Sequence, residues 1–307
     1  VLAPESSLRS VVATYARLRA ALGEAIGKPD LIQPTGEFFP DAFAPDAPGI
    51  ARLFARMVSY SPLADDLPVE LAFVAGGDDG HGGGCGSGAC GAGSASRAEA
   101  GGVEDRGDRY RVSVPASDAA NPVLLTTALA RAIGALVLHE GLEAPGEVPE
   151  ATAEVCAALC GFGVLLTAGS EVWAKACGGL RGIRATALSV EESATALALF
   201  TAVHGVDAAS ARRHLQATQR GAYDDACEWV ASNPLLLEAL QRNPAWLERG
   251  TFDLEPPRGI VGRWLHKRRI ERELRSPAVR PKAEPSAARQ RYLEEARALV
   301  EDTFGEE

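Results

Sequence analysis

Six cysteines and five histidines are the residue types in this chain best suited to metal or thiol chemistry, and two groups of them have suggestive spacing. The first is His81-Gly82-Gly83-Gly84-Cys85-Gly86-Ser87-Gly88-Ala89-Cys90. Two thiols five positions apart in a glycine loop can converge on one metal, because glycine lets the backbone fold around the ion, and His81 offers a third ligand. The second group is Cys156 and Cys160, four apart and therefore on one side of a helix. Glu154 lies near the same turn but points off at a different angle. Zinc is the cofactor this chemistry suggests, and no other cofactor is indicated. A thiolate set that closes the metal's coordination serves structure or sensing; a thiol left open serves redox chemistry or nucleophilic attack. Plain packing is the alternative for Cys156 and Cys160, since free cysteine is among the most buried residue types. A redox pair, or no role, are the alternatives for Cys85 and Cys90.

Other catalytic patterns are missing or displaced. The glycine loop lacks the Gly-Lys-Ser/Thr ending of a phosphate-binding P-loop. Gly86-Ser87-Gly88 does not have the spacing of a nucleophile elbow. His204, followed by Gly205, reads as a cation at a helix C-terminus, where it suits the helix dipole. His214 reads as a surface residue, and Cys177 and Cys227 carry no assignment.

The elements that must position these residues follow from apolar periodicity. Leu8, Val11, Val12, Tyr15, Leu18 and Leu22 predict a first helix, with Ser6 or Ser7 able to cap it. Pro29 and Pro34 break the chain into an irregular stretch ending at Phe38-Phe39-Pro40. A second helix is expected from about Pro48 to Tyr60. Val69 to Val74 and Tyr110 to Val114 alternate as strands, and the excursion between them predicts an antiparallel pair. Within that excursion, 12 of the residues from Gly76 to Gly102 are Gly, too few apolar groups to pack. Beyond Pro115 the pattern is helical. Asn121-Pro122 caps a helix to about His139, and Pro149 opens another through Thr167. Ser189 to Glu192 has capping-box spacing before a helix to Val203. Asp207, the stretch after Gly221, and Asn233-Pro234 begin three more. The fold class expected is α+β, predominantly helical, with a small antiparallel sheet edge followed by a helical body.

The stretch from Leu124 to Phe200 resembles an uncharacterised bacterial zincin-like family. Its members carry an apolar helix with His-Glu-x-x-His, an acidic residue on a second helix that runs into Gly-Phe-Gly, and a later Leu-Ser/Thr-x-Glu-Glu/Gln helix ending Ala-Leu-Ala-Leu-Phe. Here the corresponding pieces are Leu125 to Leu138, then Glu154 followed by Gly161-Phe162-Gly163, then Leu188-Ser189-Val190-Glu191-Glu192 and Ala196 to Phe200. The family's chemistry needs two His one helical turn apart on Zn²⁺ with Glu between them as base. The aligned positions are Arg131, Ala132 and Ala135, and only Glu154, at the third ligand, keeps a ligating type. The resemblance therefore implies a degenerate scaffold, a non-catalytic binding or regulatory protein. It also implies that loop 76–102 could fold over Cys156 and Cys160, where the His pair would have stood.

Composition sets the frame. The chain has 307 residues, 46% hydrophobic and 23% charged, enough to bury a core. A net charge of −10 argues against a nucleic-acid partner. Sparse cysteine favours a cytoplasmic location. The first ten residues have no apolar h-region, and the longest nearly apolar run, Val155 to Gly169, falls short of the ~20 residues a bilayer needs. A main domain over 1–255 and an appendage over 256–307 are expected. Residues 258–282 concentrate basic charge around Trp264 and Leu265, a candidate contact with anionic membrane or with an assembly partner. A protein partner is expected under the non-catalytic reading; a thiol- or metal-dependent enzyme using Cys85 and Cys90 is the alternative.

Overall fold

The computed structural model describes residues 2–74, 101–141, 148–176 and 179–257, and the side chains of 174–181 are not among those described. The chain divides after Arg258, so every described residue belongs to the first of two units. His81, Cys85, Cys90 and the basic stretch 258–282 lie outside the described residues.

The architecture is α+β and predominantly helical. The first helix, α1, spans Glu5–Ile26 and follows Pro4, so Ser6 and Ser7 fall inside its first turn rather than capping it. α2 is Ala47–Val58, with the Asp46 side chain accepting from the Gly49 amide. Three strands follow: β1 (Val69–Val74), β2 (Val103–Asp105) and β3 (Tyr110–Pro115). The expected antiparallel pairing of β1 with β3 is not what forms. β3 lies in the centre, parallel to β1 with Val69 opposite Tyr110, and antiparallel to β2 with Val103 opposite Val112. The reason is local. β2 is joined to β3 by a tight turn in which Asp105 accepts from the Gly107 amide, and this hairpin takes the antiparallel edge of β3.

The helical body is built around α3 (Pro122–Gly141) and α6 (Val190–His204). Both are apolar on every side rather than along one stripe, and such helices are stable only when surrounded. Asn121 caps α3 by accepting from the Val123 and Leu124 amides, and the Ser189–Glu192 capping box at α6 is fully formed. Between them runs α4 (Glu150–Ala157), a π-helical turn at Ala158–Phe162, and α5 (Gly163–Gly169). α4 packs on α3, α5 touches both α3 and α6, and α1 lies against α4 and α6. A hairpin absent from the sequence expectation, β4 (Val172–Ala176) with β5 (Gly179–Ile183), precedes α6. After α6 come α7 (Ala208–Arg212), α8 (Ala217–Ser232), which packs on α6, and α9 (Pro234–Arg242). α8 begins before Gly221, where the Gln219 side chain accepts from the Gln216 amide.

Carried through the π turn, the second core rod runs from Glu150 to Gly169, longer than its apolar run implied. It and α3 are long and apolar enough to cross a membrane, but 83% and 78% of those windows are buried inside the protein. That is compatible with a soluble protein.

The π turn has an identifiable cause. Gly161 has φ of 99°, and a Cβ there would lie 2.0 Å from the Asp30 carbonyl oxygen. The irregular segment after α1 therefore crosses directly over the rod, with the Ile32 amide donating to the Gly161 carbonyl at 3.0 Å and Leu31 and Ile32 buried. Gly161→Ala combines a disfavoured backbone with a backbone clash and should destabilise the protein by about 2–4 kcal/mol in urea unfolding. Gly221→Ala, on α8 with open space at its Cβ position, should be neutral or stabilising by up to about 1 kcal/mol.

Candidate functional site

Arg131 is the only charged residue between Pro122 and Leu138, and α3 buries it to 6% side-chain exposure. A buried guanidinium needs an opposite charge and acceptors. The crossing of α3 and α4 supplies them. At Gly134 the two backbones approach so closely that a Cβ would lie 2.0 Å from the Ala153 carbonyl oxygen. This brings Glu154, the neighbour of Ala153, opposite Arg131, one turn before Gly134. The Arg131 Nε and Glu154 Oε1 are 2.9 Å apart, and the Glu154 side chain is fully buried. Arg131 Nη2 lies 3.1 Å from Glu150 Oε2 at the outer end of α4, and Nη1 donates to the Ala185 carbonyl at 3.3 Å.

The carboxylate is served from a third side. The segment between β5 and α6 turns its Ala187 and Leu188 amides inward, donating to Oε1 at 2.6 Å and Oε2 at 2.8 Å. Both oxygens of Glu154 are thus engaged by N–H donors or a guanidinium. Burial pushes the carboxyl above its ordinary range, while the Arg131 charge and the two amides pull against that rise. The result joins α3, α4 and the entry to α6 through one polar cluster. A divalent cation cannot use Glu154 without displacing Arg131, and the guanidinium's own charge opposes its approach.

The cysteines sit elsewhere. Cys156 and Cys160 are buried in the main core. Hydrogen bonding between the two thiols and burial push Cys156 well above the ordinary thiol range, which keeps it protonated. A protonated, buried thiol is a poor nucleophile and a poor ligand. Tyr15 of α1 is fully buried on the Cys160 side, where burial raises its phenol. Among the described residues no group of three or more His, Cys, Asp or Glu could hold a metal, so Glu154, Cys156 and Cys160 do not assemble as one ligand set. The signal for the Arg131–Glu154 pair was available in the sequence: a lone charge in a long apolar helix must find a counter-charge. Glu154 is the acidic residue of the adjoining apolar rod.

The histidines also differ from expectation. His204 is not a cation complementing the α6 dipole. Burial, with the positive charges of Arg19 and Lys28, lowers its pKa to about 4, and its ring stacks on Phe200 with centroids 4.7 Å apart. Gly205, in the left-handed region, ends the helix instead. His214 is not simply a surface residue, since its Nε2 lies 3.0 Å from Gln33 Oε1 and joins α7's end to the irregular segment.

Two outcomes follow. Arg131→Met should cost about 3–5 kcal/mol, because it leaves a buried carboxylate without its main counter-charge. The double variant Arg131→Met, Glu154→Gln should recover most of that loss, since Gln still accepts from an amide; denaturant midpoints of the two variants measure the difference. For His204, the folded pKa lies below the unfolded value of about 6.5, so stability is complete above pH 6.5 and falls as pH drops toward 4. The loss should be about 2 kcal/mol after allowing for partial solvent screening, and His204→Gln should flatten it in unfolding curves taken from pH 7 to 4. No family model, curated protein or solved structure matches this chain.

Proposed function

We infer that this chain is a non-catalytic binding or regulatory protein on a scaffold that resembles a degenerate zincin-like enzyme. The observation that supports the reading is the chemistry of one pair. At the position the resemblance gives to the first zinc-binding His stands Arg131, and its guanidinium pairs with Glu154, the position given to the third ligand. A fixed cation thus meets the carboxylate that would have met Zn²⁺. A guanidinium has no Lewis acidity and offers no position for a water, and Ala132 cannot act as the general base. The residues present do not fit a catalytic zinc at the helix pair.

In this reading zinc belongs to the glycine loop, with His81, Cys85 and Cys90 as ligands, in a structural or sensory role. The protein then acts through a partner rather than through turnover. The test is elemental analysis of the full chain, purified without a metal-affinity step, for wild type, the Cys85→Ser, Cys90→Ser double variant and Glu154→Gln. Expected are about one zinc per chain in wild type and in Glu154→Gln, its loss in the double variant, and no peptide hydrolysis by any of them. Absence of metal in wild type would remove the loop assignment alone. Metal that leaves with Glu154→Gln, accompanied by peptide hydrolysis in wild type, would overturn the non-catalytic reading.

A further inference from the structure

Away from the ion pair, the irregular segment after α1, the exposed side of α2 and the first turns of α3 enclose a cavity of about 360 Å³, within the roughly 300–1,000 Å³ range of small-ligand pockets. Its walls are largely apolar, with Phe39 and Phe43 from the segment, Leu53 from α2 and Leu125 from α3. Phe43 is 42% exposed, an aromatic face turned partly to solvent in a chain poor in aromatics.

The polar groups lining it are few and unevenly charged. Arg56 is matched by Asp41, whose Oδ2 accepts from Nε at 3.1 Å and Nη2 at 3.0 Å. Arg52, one helical turn earlier on α2, is exposed and has no ion-pair partner among the described residues. Two arginines against one aspartate leave a local excess of one positive charge on a protein of net charge −10. An apolar, partly aromatic chamber with one surplus guanidinium is complementary to an apolar body carrying a single negative head.

We propose that this cavity binds a small apolar monocarboxylate, with Arg52 holding the carboxylate and Phe39, Phe43, Leu53 and Leu125 enclosing the hydrocarbon. The site is separate from Arg131 and Glu154 and does not depend on how that pair is read. A guanidinium–carboxylate contact at the mouth distinguishes the acid from its neutral amide, which keeps the same shape.

The probes are octanoate and 2-naphthoate, each compared with its primary amide, titrated against the full chain by calorimetry. Both acids should bind at least about tenfold more tightly than their amides. Arg52→Gln should erase that preference while leaving amide binding unchanged, and Phe43→Ala should weaken acid and amide alike. Both altered side chains are exposed or half-exposed, so the fold is expected to survive, and the wild-type comparison of acid with amide needs no variant. Equal binding of acid and amide, a preference unaffected by Arg52→Gln, or no binding of either acid at millimolar concentration would each overturn the proposal.

Discussion

A guanidinium and a carboxylate buried together hold each other in place, because neither can be withdrawn without leaving a charge in a medium that will not solvate it. The Arg131–Glu154 pair sits at the junction where α3 crosses α4, and the amides of Ala187 and Leu188 bring the entry of α6 to the same point. Three helices that are otherwise greasy rods, free to slide on one another, gain a register from it. Apolar packing alone would tolerate small shifts of these Ala- and Leu-rich surfaces. The close approach at Gly134 and the ion pair beside it fix one arrangement.

The same junction bears on function. A guanidinium and a carboxylate join α3 and α4 directly at this point. Both oxygens of Glu154 are taken up by neighbouring groups, so a ligand site is better sought away from the pair, at the α2 cavity.

Much of the helical framework could be read from the residues. Asn121-Pro122 and the Ser189–Glu192 box mark helix starts through bonds made within a few residues, so their geometry is written locally. The partners of those helices were harder. The parallel pairing of β1 and β3 depends on β2 occupying the other edge, and β2 is a three-residue strand emerging from a glycine-rich stretch with little periodicity of its own. β4 and β5 are likewise short, and β5 carries two glycines in five residues. The ion pair left a stronger trace in Arg131, but a single residue names the need for a counter-charge without saying which helix supplies it. The cavity left almost none, since it is assembled from three segments that each look ordinary alone.

The strand order has a consequence for how the sheet can assemble. The β2–β3 hairpin closes over a few residues, whereas β1 must find β3 across an intervening chain that leaves at Val74, beside Pro115, and returns near Gly101, whose amide bonds to Ser113. Both ends of the excursion therefore emerge at the same end of the sheet. The entropy of closing such a loop grows only with the logarithm of its length, about 0.6 kcal/mol for each doubling. Lengthening, shortening or rewriting the excursion between its anchors hardly weighs on the sheet. The sheet fixes where the excursion begins and ends and leaves its length free.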